Sequence, residues 1–563
     1  MPPAASSEPA VAVARDDRLR LARRIDWRFL LPSPVLGRVA VMAPDGDDLP
    51  AALAADGSAT VTAIGLAGDD RRATAYDTVV LSGWLGGGRL AAAARAVRPG
   101  GDLVVEVESV VARRDRGAAS PTGSTVRVER ALGAGGFHVR TWWAWPTLGR
   151  ATAFAAFDDR IGIEALVRYR AGGRPWGRLA RAVGLIAGGS VLPSIVPAAV
   201  ITARRGPARP TLVERRLGVD RGGPGAVRYG CLLLTPRYRA SAHVVGLALD
   251  AAGRIERVAK VARLADDDSL DHEAAVLRAL ARAATANATD VAHAEGLAPA
   301  LLDAPGLGVE VGEEPWPVLV ESGIDGRRLE PALVRADRAG AATAVEGWLQ
   351  TLPVVPRGAA EPPDGDIVAR VGAALEAVER LADGSPAGGR LATLATRTRA
   401  VVGGLAGSAL PRVFEHGDAA HPNLIRLQDG RIGAVDWERG EPDGVPLHDL
   451  TIALAYVAAA ARGASRPADQ ASAFRDAVSG PDPWAADALD REARRVGVPI
   501  EQRPALVVVA WARSAGWLAD QLGRSSPLRE PDDTSASSDL GAWLVADRSV
   551  ELWSVALDLA EAG

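Results

Sequence analysis

The stretch VFEHGDAAHPNLIRLQDGRIGAVDWE, residues 413–438, decides how the second half of the chain folds. It contains a His-Gly-Asp tripeptide ending at Asp418, an asparagine at Asn423, and an Asp-Trp-Glu tripeptide beginning at Asp436. Two short apolar segments lie between Asn423 and Asp436 and flank an Asp-Gly turn, which predicts a β-hairpin. Both carboxylates and the amide would then lie at the ends of the hairpin.

Carboxylates and an amide placed in this way suit phosphoryl transfer. In that chemistry one carboxylate orients the attacking hydroxyl and accepts its proton, while an asparagine and a second carboxylate hold Mg²⁺ on the nucleotide phosphates. The alternative is an Asp turn and a strand end without chemistry. Three matches in the right order and at the right spacing favour the site.

These motifs resemble the aminoglycoside phosphotransferase and choline kinase family, a branch of the protein-kinase-like fold. The resemblance implies that Asp418 is the catalytic base and that Asn423 and Asp436 are magnesium ligands. It also implies that His416 holds the loop by packing and hydrogen bonding, and that Asp449 caps a helix and braces the same loop.

Lys260 is the only lysine in a chain with 65 basic Lys and Arg residues. It lies in the strand-like segment Val-Ala-Lys-Val, which resembles the kinase strand whose lysine pairs the nucleotide phosphates. A helical pattern follows from Leu270, and Glu273 in its predicted first turn matches the acidic partner of that lysine. A solvated glutamate near a helix N-terminus is the alternative for Glu273.

Further nucleotide contacts are expected on both sides of Lys260. Three strand-like runs between residues 231 and 261 predict an antiparallel meander. Small residues that include Ser241 would cover the phosphates between the first two strands, although no Gly-rich motif is present. The resemblance also places a hinge, whose backbone faces adenine, at Val320, Glu321, Ser322 and Gly323.

Length and composition exclude several classes of protein. A chain of 563 residues predicts two or three domains. A net charge of -4 gives no electrostatic reason to bind nucleic acid. Cys231 is the only cysteine, so a reducing, cytoplasmic setting fits. The uncharged run at residues 182–203 contains several glycines and prolines, which favours buried strand and turn over a membrane span.

Residues 36–107 alternate strand-like and helical runs, which predicts an open, mostly parallel α/β sheet. Together with residues 134–146, this region resembles the class I S-adenosylmethionine-dependent methyltransferases, a resemblance that implies that cofactor. The loop after the first strand has one glycine, however, and Gly65 stands where the family has an acidic residue. Retained methyl transfer and a scaffold or recognition module therefore both stay open.

The predicted architecture is multidomain, with a Rossmann-like, methyltransferase-like α/β domain followed by a bilobal α+β protein-kinase-like domain. The predicted segments are a disordered lead (1–19), the α/β domain (20–205), a linker (206–227), a kinase-like N-lobe with hinge (228–328) and a helical C-lobe (329–563). The predicted function is ATP- and Mg²⁺-dependent phosphoryl transfer to a hydroxyl of a small molecule or sugar. The alternatives are a bifunctional kinase-methyltransferase acting on a glycan or metabolite, and a non-catalytic nucleotide-binding scaffold.

Overall fold

A computed structural model gives the chain as two compact units. The first unit contains Met1–Leu270 and Leu302–Gly323, and the second contains Asp271–Leu301 and Ile324–Gly563. The structure describes residues 15–44, 46–55, 59–63, 76–83, 87–108, 125–171, 196, 198–219, 229–237, 242–286, 297–304, 316–355, 367–524 and 540–562. The predicted domain boundaries are not tested by this division and stay predictions.

The first unit is organised around a twelve-stranded sheet with the strand order β11-β12-β10-β9-β8-β6-β5-β7-β4-β3-β1-β2. Its strands are β1 (Gly37–Met42), β2 (Ala59–Ala63), β3 (Tyr76–Leu81), β4 (Val97–Glu108), β5 (His138–Trp145), β6 (Ala153–Ala156), β7 (Ala198–Arg204), β8 (Gly230–Leu234), β9 (His243–Leu249), β10 (Ile255–Ala262), β11 (Leu301–Asp303) and β12 (Val318–Ser322).

The predicted parallel sheet is confirmed for β2, β1, β3 and β4, which pair in parallel in that order. Strand β7 then pairs antiparallel with both β4 and β5, and β6 pairs antiparallel with β8. The predicted meander is confirmed as β8, β9 and β10, paired antiparallel. One sheet therefore continues from the α/β region into the meander.

Among the residues that the structure describes, six helices accompany this sheet, and a seventh begins where the first unit ends. They are α1 (Arg15–Ala22), α2 (Leu49–Ala55), α3 (Gly87–Ala96), α4 (Thr125–Ala134), α5 (Arg160–Ala171), α6 (Leu212–Leu217) and α7 (Ser269–Ala286), and a 3₁₀ helix follows α1 at Arg23–Leu30.

The N-terminal segment packs into the first unit. Helix α1 begins at Arg15, inside the stretch predicted as a disordered lead, and Arg18 forms an ion pair with Asp266 at 2.9 Å. The guanidinium of Arg263, which is fully buried, makes two hydrogen bonds of 3.0 Å to the Asp26 carboxylate. A buried charge needs such a partner, so these long-range contacts order the segment.

The stretch predicted as a linker contains a capped helix. Thr211 is the N-cap of α6: its side chain accepts a hydrogen bond from the backbone N–H of Glu214, and the Glu214 carboxylate accepts one from the backbone N–H of Thr211. The Glu214 carboxylate is also buried against Arg140, at 2.8 Å. This capping box fixes the start of the helix locally.

The second unit is mostly helical. Its helices after α7 are α8 (Pro331–Ala336), α9 (Arg338–Leu349), α10 (Ile367–Ala382), α11 (Gly388–Gly403), α12 (His448–Arg462), α13 (Pro467–Ser479), α14 (Trp484–Val496), α15 (Arg503–Arg524), α16 (Leu540–Val545) and α17 (Arg548–Ala562). Trp348, Trp437, Phe474 and Trp553 are among the largest side chains of their common core.

Two small sheets carry the polar loops of the second unit. One sheet has the order β13 (Gly326–Arg328), β16 (Leu424–Leu427) and β17 (Ile432–Ala434). The other contains β14 (Val354–Val355), β15 (Arg412–Glu415) and β18 (Glu441–Gly444). Strands β16 and β17 pair antiparallel, which confirms the predicted hairpin.

The Pro-, Gly- and Ser-rich stretch at residues 463–483 predicts a loop, and this prediction is wrong, because α13 occupies most of the stretch. Gly463 ends α12 in the left-handed conformation at φ 67°, and Pro467 lies in the first turn of α13. Glycine past a helix end and proline at a helix start mark the ends of helices as well as irregular chain. The sequence pattern of residues 541–562 predicts one helix, which the structure divides into α16 and α17.

No helix in the described part of the chain is both long and apolar enough to cross a bilayer. Of the uncharged run at residues 182–203, the predicted strand is confirmed as β7, and residues 182–195 lie outside the described residues.

Candidate active site

The loop between β15 and β16, residues 416–423, brings Asp418 and Asn423 together; we call it the HGD loop. The side-chain amide of Asn423 donates to Asp418 Oδ2 at 3.2 Å and to the Asp418 backbone oxygen at 3.2 Å. The Asp418 side chain is 32% exposed, while Asn423 is buried. The carboxylate is therefore held by its neighbour and still open on one side.

His416 holds the HGD loop in place, as predicted. It is fully buried; its Nε2 lies 3.0 Å from the Val435 backbone oxygen, and its Nδ1 lies 3.3 Å from the Asp418 backbone nitrogen. These partners require a neutral ring with its proton on Nε2. Burial lowers the pKa of His416, which agrees with that state. His416 therefore orients Asp418 and is not free to act as a base.

Asp449 braces the same loop from the first turn of α12. Its two carboxylate oxygens accept hydrogen bonds from the backbone N–H groups of His416 at 2.6 Å and Gly417 at 2.9 Å. The predicted brace is confirmed, but the predicted cap is wrong, because the N-cap residue is Leu447 and makes no side-chain cap. Both carboxylate oxygens of Asp449 accept hydrogen bonds from the HGD loop instead.

Asp436 lies directly after the hairpin and has φ 72°, a left-handed conformation that non-glycine residues rarely adopt. Contacts on both sides hold this turn. The Val435 backbone N–H donates to the backbone oxygen of Asn423 at 3.0 Å, and the Trp437 backbone N–H donates to Glu273 Oε1 at 2.9 Å. The structure thus brings Glu273 and the Asp436 turn together. Strained backbone that is held from both sides is typical of functional turns.

Glu273 is buried, which excludes the solvated alternative. Helix α7 begins at Ser269, so Glu273 lies beyond the predicted first turn, where Asp271 is the acidic residue. Its hydrogen bond to Trp437 gives Glu273 a bracing role that the sequence did not suggest.

The predicted nucleotide residues of the first unit lie on adjacent strands. Lys260 on β10 is buried at 8% exposure and is in register with Leu319 of β12. The hinge residues Val320, Glu321 and Ser322 continue along β12 and stay paired with β10. The backbone N–H of Gly323 donates to the backbone oxygen of Glu256 at 2.8 Å. Ser241 lies outside the described residues.

A buried charge cluster lies directly before the HGD loop, and sequence reasoning missed it. The Arg513 guanidinium on α15 is 2.8 Å from both carboxylate oxygens of Glu415 and 2.8 Å from Glu441 Oε1. His448 Nε2 is 3.7 Å from Glu415 Oε1, and burial lowers the pKa of His448 to about 4. No motif marks this cluster, because its members are up to 98 residues apart.

Arg439 is a second missed residue. Its Nη1 is 3.8 Å from Asp418 Oδ2, and its guanidinium carbon lies 3.1 Å from the centroid of the Trp517 ring. The signal was present in the sequence, since Arg439 directly follows the Asp-Trp-Glu tripeptide. A cation therefore lies beside the proposed base.

The residues present fit Mg²⁺. The side-chain nitrogen of Asn423 donates a hydrogen bond to Asp418, so the side-chain oxygen of Asn423 can serve as a metal ligand. Asp436 supplies a carboxylate. Magnesium prefers such oxygen ligands and commonly takes only one or two from the protein, with phosphates completing the shell. Among the described residues, no group of three or more His, Cys, Asp or Glu side chains could hold a metal.

Comparisons with known proteins give one family match. No curated protein matches the sequence. Among solved structures, a choline kinase from Cryptosporidium parvum Iowa II is 11% identical with a TM-score of 0.36, and the alignment covers 62% of this chain and 96% of that chain. An aminoglycoside phosphotransferase from Alicyclobacillus acidocaldarius is 12% identical with a TM-score of 0.32, covering 57% and 91%.

A candidate sarcosine dimethylglycine methyltransferase from Galdieria sulphuraria is 10% identical with a TM-score of 0.19, covering 34% of this chain and 85% of that chain. Structural likenesses at these scores carry no argument about activity. The family comparison is independent of them, and it matches the phosphotransferase enzyme family over residues 240–488. Residues 240–488, which are less than half of the chain, therefore form a phosphotransferase enzyme family domain.

Proposed function

We propose that the chain is an ATP- and Mg²⁺-dependent phosphotransferase that transfers the γ-phosphoryl group to a hydroxyl of a small molecule or sugar. The observation that carries the proposal is the hydrogen bond of 3.2 Å between the Asn423 amide and the Asp418 carboxylate. This hydrogen bond joins the proposed base and a proposed oxygen ligand of the metal at one end of the hairpin, within the family match, and so supports the proposal. This combination is what phosphoryl transfer needs from a protein.

In this proposal each polar residue has a distinct task. Asp418 accepts a hydrogen bond from the acceptor hydroxyl, orients its oxygen towards the phosphorus and takes up its proton as the bond to phosphorus forms. Asn423 and Asp436 would hold Mg²⁺, which when bound neutralises charge on the β and γ phosphates. Lys260 would contact the phosphates, and the hinge at Val320–Gly323 would face the base of the nucleotide.

The remaining residues position this machinery. His416 and Asp449 fix the HGD loop, and Glu273 fixes the turn at Asp436. The family resemblance also implies that Glu273 forms an ion pair with the lysine that contacts the phosphates. That pairing with Lys260 stays a prediction. Preorganised positioning of this kind accounts for much of the rate in phosphoryl transfer, where the protein does little covalent chemistry.

The test is Mg²⁺-dependent release of ADP by the full chain with a panel of hydroxyl acceptors. Asp418→Ala should lower kcat by at least about 10³-fold while nucleotide affinity stays nearly unchanged, because the base acts only on the acceptor. Nucleotide affinity is measured by calorimetry with Mg²⁺ and ADP. Unchanged turnover in Asp418→Ala would refute the assignment of the base.

We infer that the N-terminal α/β region is a scaffold or recognition module and does not transfer methyl groups. The support is Arg24, whose guanidinium lies at the carboxyl ends of β1 and β4 and pairs there with Glu106 and Asp48. Ligands of open α/β sheets bind at that edge. The alternative bifunctional enzyme would need the same space for its cofactor.

A further inference from the structure

A cavity of about 290 Å³ in the second unit has part of the HGD loop as one wall. Ala420 and His421 line it, and both lie between the proposed base and the proposed metal ligand. The Ala420 N–H donates to the Asp418 backbone oxygen at 2.8 Å, and the Asn423 N–H donates to the Ala420 oxygen at 2.8 Å. The cavity wall is thus hydrogen-bonded to both residues of the site.

Two arginines line this cavity without a partner. Arg335 on α8 and Arg548 at the start of α17 are both exposed, and in the described part of the chain neither has a carboxylate within ion-pairing distance. Several other arginines of the helical region are paired with carboxylates, as Arg462 is with Asp476 at 2.6 Å. Two unpaired guanidinium groups at one cavity make it positive.

A buried donor adds to this polarity. Trp511 lines the cavity and is 4% exposed, and its indole N–H has no hydrogen-bond partner among the described residues. A buried donor without a partner costs about 1–3 kcal/mol, so an acceptor oxygen from a ligand would remove that cost. The two arginines and the Trp511 N–H therefore favour a ligand that carries acceptor oxygen atoms and a negative charge.

No carboxylate lies among the cavity-lining residues that the structure describes. No carboxylate on these walls would pair with a cationic acceptor and the two arginines would repel it, whereas an anionic acceptor would find two charged partners.

Apart from Tyr456, Ser465 and Gln470, the remaining lining is mostly small and apolar, which limits the size of a ligand. It is formed largely by the face of α12 that carries Ile452, Ala455, Ala459 and Ala460, together with Leu552 of α17. A volume near 300 Å³ lies at the lower end of the range for small-molecule sites. The ligand that fits is a compact carbon skeleton with its charge at the two arginines.

We propose that this cavity is the acceptor site and that it selects a small hydroxyl compound bearing a carboxylate or phosphate ester group, which Arg335 and Arg548 bind. The proposal rests on the proposed function and specifies its acceptor class. In the reaction the bond between the γ-phosphorus and the bridging oxygen of ATP breaks, the acceptor oxygen bonds to phosphorus, and Asp418 takes the hydroxyl proton. The anionic group stays unchanged at the arginines.

The experiment compares matched acceptors: glycerol, glycerate, glycerol 3-phosphate and choline. Phosphoryl transfer from labelled ATP is measured on the full chain, and kcat and KM are determined for each acceptor. The two anionic compounds should have at least about tenfold lower KM than glycerol, since charge-assisted hydrogen bonds contribute that much to binding. The better of the two identifies the charged group.

Arg335→Gln and Arg548→Gln should each raise KM for the preferred anionic acceptor about tenfold or more and leave KM for ATP and for glycerol unchanged. Lysine at either position should restore part of the affinity. Arg494→Gln is the matched control, because Arg494 is exposed on α14 and does not line the cavity. Thermal unfolding shows whether each variant is folded.

The outcomes separate this inference from the proposed function. If glycerol or choline is phosphorylated as efficiently as the anionic compounds, and the arginine variants change no KM, the proposed acceptor class is wrong. The proposal of phosphoryl transfer would still stand. If no acceptor is phosphorylated, binding of glycerol 3-phosphate and glycerate to Asp418→Ala is measured by calorimetry. Binding that the arginine substitutions weaken would support the cavity without the activity, and no binding would overturn it.

Discussion

The carboxylate of Asp449 and the backbone N–H of His416 are joined by a hydrogen bond of 2.6 Å, and the second carboxylate oxygen accepts from Gly417 at 2.9 Å. Asp449 is in the first turn of α12, which packs in the core of the second unit. Through this one side chain the HGD loop is fixed to a buried helix, so the position of Asp418 depends on a residue 31 positions away.

Asp449→Ala should destabilise the second unit and slow catalysis. It leaves the buried His416 N–H without an acceptor, at about 1–3 kcal/mol, removes the acceptor of the half-buried Gly417 N–H as well, and frees the loop that carries Asp418. We expect a lower urea midpoint and a kcat reduced by at least about tenfold. Asp469→Ala is the control, because Asp469 is also in the first turn of a helix but is exposed. Equal midpoints for the two variants would contradict the brace.

Gly417 is required by its surroundings as well as by its backbone. Its φ is 81°, and a Cβ there would lie 2.5 Å from the Arg439 backbone oxygen. Gly430 in the hairpin turn has φ 90° and no atom within 4 Å of a Cβ. Gly430→Ala should therefore cost only about 1 kcal/mol of conformational strain.

Gly417→Ala should cost more than Gly430→Ala and reduce kcat strongly, because the Arg439 carbonyl must move with the loop. Denaturant unfolding and steady-state kinetics on both variants test this. Similar losses of stability, with normal activity in Gly417→Ala, would show that the loop tolerates the contact.

The parts of this site that local sequence determines could be predicted. The hairpin, the loop with Asp418 and Asn423, and the strand with Lys260 depend on alternation, a turn and short motifs, which neighbours in sequence fix. The Arg513–Glu415 pair joins residues 98 positions apart, and the β6–β8 pairing joins two predicted domains. Nothing in a local pattern encodes such a partner, because it is selected by the tertiary fold.

Arg439 should depend on Trp517 for its position beside Asp418. The guanidinium carbon is 3.1 Å from the Trp517 ring centroid, and a cation over an indole is worth about 0.5–2 kcal/mol. Trp517→Leu should lower kcat several-fold, with KM for ATP unchanged, because Arg439 becomes mobile next to the base. Arg439→Gln should lower kcat at least as much.

Two further variants make this prediction specific. If Trp517 acts through Arg439, adding Trp517→Leu to Arg439→Gln should have little further effect on kcat, since the two act as one unit. Trp543→Leu is the control, because Trp543 is 51% exposed and makes no contact with Arg439. Additive losses in the double variant would mean that the two side chains act separately.

His448 should make the fold sensitive to acid. Burial lowers its pKa to about 4 from the usual value of 6.5, while the Glu415 charge acts in the opposite direction. In the window from pH 6.5 to 4 the unfolded chain binds a proton that the folded chain does not, so stability falls as pH falls. The loss from this group should be about 2–3 kcal/mol.

His448→Gln isolates that contribution, since every other titrating group remains in both proteins. The urea-derived stability of the wild type minus that of the variant should decrease as the pH is lowered from 6.5 to 4 and stay constant above pH 7. A difference that does not change with pH would show that His448 is not kept neutral by the fold.

The N-terminal α/β region should not bind S-adenosylmethionine. Cofactors of such sheets occupy the crevice at the carboxyl ends of the parallel strands. In this chain Arg24 lies there, with Nη2 2.8 Å from Glu106 and Nε 3.0 Å from Asp48. The loops after β1 and β3 also meet, because a Cβ on Gly83 would lie 2.7 Å from the Pro44 ring.

Titration calorimetry of the full chain should therefore give no saturable heat with S-adenosylmethionine, whereas Mg²⁺ and ATP should give saturable heat on the same sample. Arg24→Ala should not create a site, because Glu106 is 1% exposed and would be left as a buried charge without its cation. Breaking such a pair costs about 3–5 kcal/mol, so the variant should unfold at lower denaturant concentration. Saturable binding of S-adenosylmethionine to the wild type would instead show that the Arg24 side chain moves out of the crevice when the cofactor binds. Methyl transfer would then again be a candidate activity.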